Sequence, residues 1–201
     1  MDKTSLLYDH YKETNAQSKS MQDKRGRLFI IVCIELTLLF LFIINPMETF
    51  NSISEWIKEN LGFQLTLSTI IVQALLWFIT LFTIIRYYQA NIYIQRLYEY
   101  LNIMESEISS DISVKKIFNR EGDYYNNKYP MVLTMIDHFY KWVFPIALCL
   151  IVGFKIAFEW IQGIIVAVKI VDTAIAGSII VLTIMYLVFI HRKPDVGETE
   201  K

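Results

Sequence analysis

The most constraining feature of the sequence is the stretch 64–110, which contains no Pro or Gly that would end a helix. It predicts one helix of about 70 Å, more than twice the hydrocarbon thickness of a bilayer. Its first half, QLTLSTIIVQALLWFITLFTII, is apolar enough to span a membrane, whereas its second half, RYYQANIYIQRLYEYLNIMESEISS, is too polar to remain there. We therefore expect the helix to extend from the membrane into the cytoplasm.

Residues spaced alternately three and four apart form one continuous face of this helix. In the first half the face is the polar stripe: Thr66, Thr69, Gln73, Leu76, Thr80 and Thr83. Beyond Tyr87 it becomes the apolar seam: Ala90, Ile94, Leu97, Leu101, Met104 and Ile108. Because the face is polar where lipid is expected and apolar where water is expected, it should point toward protein or an enclosed space. The stripe either lines a pore or only packs against neighbouring helices. The sequence leaves both open, because a Thr hydroxyl in a membrane helix often bonds to the backbone of its own helix.

Hydrophobic residues make up 54% of the 201 residues, more than soluble domains contain. The excess lies in four runs of near-membrane length, which predicts an all-α integral membrane protein with four transmembrane helices and the second one extended. The expected units are a cytoplasmic amphipathic N-terminal helix (1–27), spans at 28–47, 64–85, 140–158 and 170–190, an external interfacial helix (48–63), a cytoplasmic helical extension and loop (86–139), and a cytoplasmic tail (191–201).

Basic residues predict the orientation of these spans. Lys and Arg concentrate in 1–27, in 86–141 and in the tail, and only Lys58, Lys155 and Lys169 fall elsewhere. By the positive-inside rule, both termini and the long middle segment are cytoplasmic.

Ionisable residues within the spans are costly and usually face partners or water. Glu35 lies in span one, either as a pore or vestibule charge that favours cations or as a carboxyl that is simply protonated or bonded to a neighbouring Thr. Asp172 begins span four and either pairs with Lys155 or Lys169 or contributes to an acidic ring in an oligomer. Lys155 and Glu159 mark the outer end of span three, where Lys can snorkel. The pore-lining candidates are Thr66, Thr69, Gln73, Leu76, Thr80, Thr83, Tyr87, Glu35 and Asp172.

The cytoplasmic part has two further features. The apolar seam needs a cover, which predicts contact with the N-terminal segment and a homo-oligomer of three to five subunits. Basic and aromatic residues interleave nearby and could accept an anionic ligand or a partner, although a solvated loop with interfacial tyrosines explains them as well. These residues are Tyr93, Arg96, Tyr100, Lys115, Lys116 and Arg120.

Several functions find no support in the sequence. It shows no nucleophile with a paired base, no Gly-rich phosphate loop and no metal-ligand cluster, so we expect neither an enzyme nor a cofactor or metal site. It also has no inverted repeat and no span broken at its middle, which disfavours a secondary transporter.

Four segments carry a family resemblance: LLYDHYKET (6–14), YIQRLYEYLNIMESEI (93–108), FNREGDYYNNKYP (118–130) and WVFP (142–145). Together they resemble small bacterial four-span membrane proteins of anti-phage defence systems, of the Hailong membrane-effector type or the Kiwa membrane-component type. The first resemblance implies a tetrameric ion channel in the bacterial inner membrane, held shut by a nucleotide-derived oligomer.

The leading hypothesis is therefore an oligomeric inner-membrane channel, gated from the cytoplasmic side, that defends against phage by disrupting ion gradients. The alternative is a non-conducting membrane scaffold or sensor that recruits a soluble partner. The two hypotheses differ in whether water enters the space along the polar stripe.

Overall fold

The computed structural model describes residues 3–63, 68–111, 131–161 and 166–191. Regular structure in these ranges is helical throughout, with no strand, as the sequence predicts. Four helical segments are long and apolar enough to cross a membrane. The elements are α1 (Lys3–Ile44), α2 (Pro46–Leu61), α3 (Thr69–Asp111), α4 (Met131–His138), a π-helical turn (Phe139–Val143), α5 (Phe144–Ile161) and α6 (Val166–His191).

The two longest helices, α1 and α3, form an antiparallel pair. With 42 and 43 residues they each extend about 60 to 65 Å. Their contacts run in opposite directions along the two helices, through Tyr11 with Glu105, Arg25 with Asn91, and Glu35 with Thr83. The segments expected as an N-terminal helix (1–27) and a first span (28–47) are parts of one uninterrupted helix up to Ile44.

The molecule has two regions, here called the bundle and the hairpin. The bundle contains the second half of α1, the first half of α3, and α5 and α6, and its core includes Val32, Leu36, Leu39, Trp77, Ile84, Tyr87, Tyr88, Phe144, Leu148, Val152, Ile175, Ala176, Ile179 and Tyr186. The hairpin contains only the first half of α1 and the second half of α3, and its core includes Tyr11, Leu101, Met104 and Ile108.

Short-range signals define the helix ends between α1 and α3. Asn45 separates α1 from α2, and Pro46 begins α2, where a missing N–H costs nothing. Gly62 ends α2 in the left-handed region with φ of 73°, and its N–H bonds to the Lys58 carbonyl at 3.1 Å. No residue of α2 is buried.

A π-helical turn precedes Pro145 and leaves one backbone carbonyl available. The Phe144 N–H bonds to the Phe139 carbonyl rather than to that of Tyr140. The following residue is Pro145, which has no N–H to offer. The Tyr140 carbonyl therefore accepts a hydrogen bond from the Tyr87 hydroxyl at 2.9 Å, which fixes the start of α5 against α3.

Candidate functional site

Four polar side chains from three helices meet inside the bundle and form what we call the charged cluster. Lys155 and Glu159 lie one turn apart on α5, Asp172 lies on α6 and Gln73 on α3. Lys155 and Glu159 are each 3% exposed, and Asp172 is completely buried. Charged side chains are rarely buried to this degree unless they are paired, and these are.

The contacts within the charged cluster join all four members. The Lys155 amine contacts the Glu159 carboxylate directly and lies 3.6 Å from Asp172 Oδ2. The Gln73 amide nitrogen donates to Glu159 Oε1 at 2.7 Å and to Asp172 Oδ2 at 3.1 Å. One lysine and one amide thus bridge two carboxylates. Buried ion pairs of this kind are sustained only when further hydrogen bonds accompany the charges.

Trp77 of α3 lies beside the charged cluster in the bundle interior. It is completely buried, and the Lys155 nitrogen lies 4.4 Å from the centre of its ring. An ammonium over an indole face is attracted by the ring quadrupole, more strongly when water is excluded. The Trp77 ring therefore stabilises the buried ammonium of Lys155.

A second buried acidic group, Glu35 of α1, contacts the polar stripe further along α3. The Thr83 hydroxyl donates to Glu35 Oε1 at 2.9 Å, and Glu35 is only 5% exposed. Ten residues of helix separate Gln73 from Thr83, which corresponds to about 15 Å. Between them Thr80 is completely buried, and its hydroxyl bonds to the Leu76 carbonyl at 2.8 Å.

A layer of aromatic residues follows where the bundle meets the hairpin. Tyr87 is completely buried, and Tyr88 stacks on Tyr186 with ring centres 4.2 Å apart. The Tyr88 hydroxyl shares a 2.8 Å hydrogen bond with the Thr183 hydroxyl. This layer ties α3 to α6 just before α3 leaves the bundle.

The pore-lining candidates fall mostly inside a single chain. Gln73, Thr80, Thr83, Tyr87, Glu35 and Asp172 all point into the bundle interior, and Thr69 and Leu76 are half-buried. Thr66 lies outside the described residues. Several of these hydroxyls donate to a backbone carbonyl of their own helix. The Thr83 hydroxyl, for example, lies 2.9 Å from the Ile79 carbonyl oxygen as well as close to Glu35. The polar stripe is therefore occupied by contacts within the chain in this conformation.

The apolar seam is also covered within the chain. Ile94, Leu97, Leu101, Met104 and Ile108 are all at most 8% exposed. Residues of α1, including Tyr11 and the half-buried Leu7, cover part of it. The expected contact with the N-terminal segment is thus present, and the seam no longer gives a reason for a homo-oligomer. One chain supplies both sides of the seam, and the homo-oligomer itself stays a prediction.

The cytoplasmic ligand candidates are not gathered into one site. Tyr93 and Tyr100 are 38% and 49% exposed, and Arg96 is also exposed, so all three lie away from the seam. The Tyr93 hydroxyl accepts a hydrogen bond from Gln17 at 2.8 Å. Lys115, Lys116 and Arg120 lie outside the described residues.

Sequence reasoning placed Lys155 and Glu159 at the end of a span and missed their burial with Gln73. Asp172 does pair with Lys155, whereas Lys169 donates to the Trp160 carbonyl at 3.3 Å. The available signal was the spacing of four between opposite charges in an otherwise apolar run. No group of three or more His, Cys, Asp or Glu residues that could hold a metal occurs in the described part of the chain.

Comparisons of the chain with protein-family models, with curated proteins and with solved structures gave no match.

Proposed function

We propose that the chain is a multi-pass protein of the bacterial inner membrane, with the bundle in the bilayer and the hairpin in the cytoplasm. The bundle exterior supports this placement, because large apolar side chains face outward on each long helix of the bundle. Examples with more than half of their surface exposed are Ile34, Phe82, Phe154 and Met185. Such a surface is incompatible with water over this length and suits lipid. The distribution of basic residues supports cytoplasmic termini.

Within that membrane the protein acts as a gated ion channel, and the observation that carries this proposal is the charged cluster. Hydrocarbon penalises ionisable groups, so those retained inside a membrane bundle usually mark an ion or proton pathway. Here Gln73, which contacts the charged cluster, and Thr83, which contacts Glu35, lie about 15 Å apart along α3. The charged cluster and Glu35 are thus two polar sites along the proposed path of an ion through the bundle, and we call them the two stations.

The conformation described corresponds to the closed channel. Trp77 and Thr80 lie between the two stations and are completely buried, so no water-filled path joins them. Opening then requires α1, α5 and α6 to move away from α3. Because α1 and α3 continue without interruption into the hairpin, a ligand or partner that binds there can shift the helices of the bundle. The exposed Tyr93, Arg96 and Tyr100 are the described candidates for such contact.

The resemblance noted from the sequence adds the biological setting to this proposal. It implies a homo-oligomer, with a tetramer favoured, that acts as an effector in anti-phage defence and responds to a cytoplasmic protein or a nucleotide-derived ligand. The apolar seam is not the surface for that assembly, because α1 already covers it.

The alternative proposal is a non-conducting membrane scaffold or sensor. It is favoured by the internal pairing of the polar stripe, since Gln73, Thr80 and Thr83 all have partners within the chain. In that case the charged cluster fixes the arrangement of three helices, and the hairpin recruits a soluble partner.

Ion flux through liposomes that contain the purified full chain distinguishes the two proposals. Trp77→Ala removes the side chain between the two stations and should raise the flux of monovalent ions well above that of wild type. Phe78→Ala is the matched control, because Phe78 is 55% exposed on the outer face of the same helix. In the double variant Trp77→Ala with Gln73→Leu the flux should fall again, because the leucine removes the polar side chain of Gln73 from the charged cluster. Flux at the wild-type level in Trp77→Ala, with normal insertion, would favour the scaffold.

A further inference from the structure

The charged cluster contains an unequal number of acidic and basic groups. Glu159 and Asp172 supply two carboxyl groups, and Lys155 supplies one amine, all at least 97% buried. With every group ionised the cluster would carry one net negative charge. An uncompensated charge in an apolar environment costs many times more than an unpaired neutral oxygen, so proteins neutralise it.

Among the described residues, the ion pairs and hydrogen bonds of the two carboxylates include no positive charge other than Lys155. α3 contributes the neutral Gln73 and Trp77, and both ion pairs of the carboxylates involve Lys155. On the α1 side, a small cavity of about 10 Å³ beside Lys155 is lined by apolar residues: Leu36, Leu39, Phe40, Ile43, Trp77, Ile151 and Val152. Lys169 of α6 donates to the Trp160 carbonyl, and Glu35 of α1 accepts from Thr83.

Two atoms of the cluster have no hydrogen-bond partner in the structure. They are Glu159 Oε2 and Asp172 Oδ1, and both are buried. The opposite oxygens of the same carboxylates converge on the amide nitrogen of Gln73, at 2.7 and 3.1 Å. Two carboxylates that share one donor at such distances favour a state in which one of them is protonated.

We propose that Lys155, Glu159 and Asp172 form a proton-binding site that holds two labile protons among its three groups and is electrically neutral at neutral pH. In that state there is one ammonium, one carboxylic acid and one carboxylate. Release of one proton to water leaves the ammonium and two carboxylates, with one net negative charge. A metal ion suits the site less well, because the Lys155 amine already lies 3.6 Å or less from both carboxylates. This inference concerns the cluster that carries the proposed function and names the species held there, but it does not require conduction.

Infrared spectroscopy of the full chain in liposomes at pH 7 tests the proposal through the C=O band of protonated carboxyl groups. Glu159→Gln and Asp172→Asn should each remove one protonated carboxyl, because Lys155 balances the single carboxylate that remains. Lys155→Met should add one, because both carboxyls are then protonated. Glu55→Gln, at an exposed position of α2, is the control and should leave the band unchanged.

The proposal is overturned if neither Glu159→Gln nor Asp172→Asn reduces the band while both proteins retain their helical circular dichroism. If these variants do not insert, the test uses the double variant Glu35→Gln with Glu105→Gln, labelled with ¹³C at its carboxyl groups. This variant lacks the other carboxyls that are buried in the described part of the chain. A protonated-acid band that shifts with the label supports the site, and its absence contradicts it. A band without ion flux in any variant rejects the channel alone, and flux without the band rejects this inference alone.

Discussion

The bundle and the hairpin use the same two helices with opposite chemistry. In the bundle, the inward face of α3 carries Gln73 and Thr80, while Phe82 faces out. In the hairpin, the inward face carries Leu101, and Arg96 faces out. One helix thus keeps the same face inward over about 60 Å while the polarity of that face reverses.

The difference fits the proposed surroundings, with lipid around the bundle and water around the hairpin. In water, apolar side chains are driven together, and a seam at heptad spacing suffices to join two helices. In lipid that driving force is absent, and association depends on close packing and on polar contacts between helices. The charged cluster and the Glu35–Thr83 contact are such polar contacts.

The interior of each region contains both polar and apolar side chains. The hairpin buries Glu105, which accepts a hydrogen bond from the Tyr11 hydroxyl at 2.9 Å. The bundle has a largely apolar core, and Trp77 of that core lies directly beside the charged cluster. The polar contact between Tyr11 and Glu105 favours the observed register of α1 on α3, because a shift of one turn would break it.

The largest effect is expected for a charge placed in the apolar seam of the hairpin. Leu101→Asp should destabilise the protein by more than about 4 kcal/mol, because Leu101 is completely buried in the apolar seam and an aspartate there would be a buried charge. The measurement is denaturant unfolding in detergent, with limited proteolysis of the hairpin. Ile103→Asp, at a position 57% exposed, should change the stability by about 0.5 kcal/mol or less. Equal sensitivity at the two positions would mean that α1 does not cover the seam.

A smaller effect is expected for the polar contact in the hairpin. Tyr11→Phe removes a hydrogen bond to a buried carboxylate and should cost about 1.5 to 3 kcal/mol in the free energy of unfolding. Tyr100→Phe is the control, since Tyr100 is 49% exposed on the outer face, and it should be nearly neutral. If both variants are neutral, the Tyr11–Glu105 contact does not fix the register of the hairpin.

The smallest effects on the free energy of unfolding are expected for Thr83 and Thr80 of the polar stripe, and they should differ between the two residues. Thr83→Val removes the hydroxyl that donates to Glu35 and should cost about 1 kcal/mol in the free energy of unfolding. Thr80→Val should cost less, because the Thr80 hydroxyl bonds only to the carbonyl of its own helix at Leu76. Unfolding in detergent compares the two. A larger loss for Thr80→Val would show that its hydroxyl serves another partner and that the stripe is not dry.

The sequence predicted much of the fold for physical reasons that act locally. Helix length follows from apolar runs and from the absence of Pro and Gly, and the reversal along α3 is visible at heptad spacing. The continuity of α1 was harder to predict. The charged residues around Gly26 indicate a boundary between water and membrane, and such a boundary does not show whether the helix continues through it.

The candidate site was only partly predictable. Periodicity identifies the face on which Gln73 lies but not which helices oppose it, so its meeting with Glu159 and Asp172 could not be derived. The charges at Lys155 and Glu159 looked like the end of a span because both residues are commonly found there. The bond between Tyr87 and the Tyr140 carbonyl depends on a π-helical turn, which no residue pattern in one sequence specifies.

The central claim is that α3 passes from lipid to water while one face stays enclosed, and spin-label accessibility along this helix in liposomes tests it most directly. Labels at Phe78→Cys and Phe82→Cys should be reached by oxygen and not by a water-soluble paramagnetic complex, whereas labels at Arg96→Cys and Ile103→Cys should show the reverse. Labels at the inward positions Thr80→Cys and Leu101→Cys should be protected from both reagents. The account is contradicted if the water-soluble complex reaches Phe78→Cys or Thr80→Cys in the resting protein, or if oxygen alone reaches Ile103→Cys.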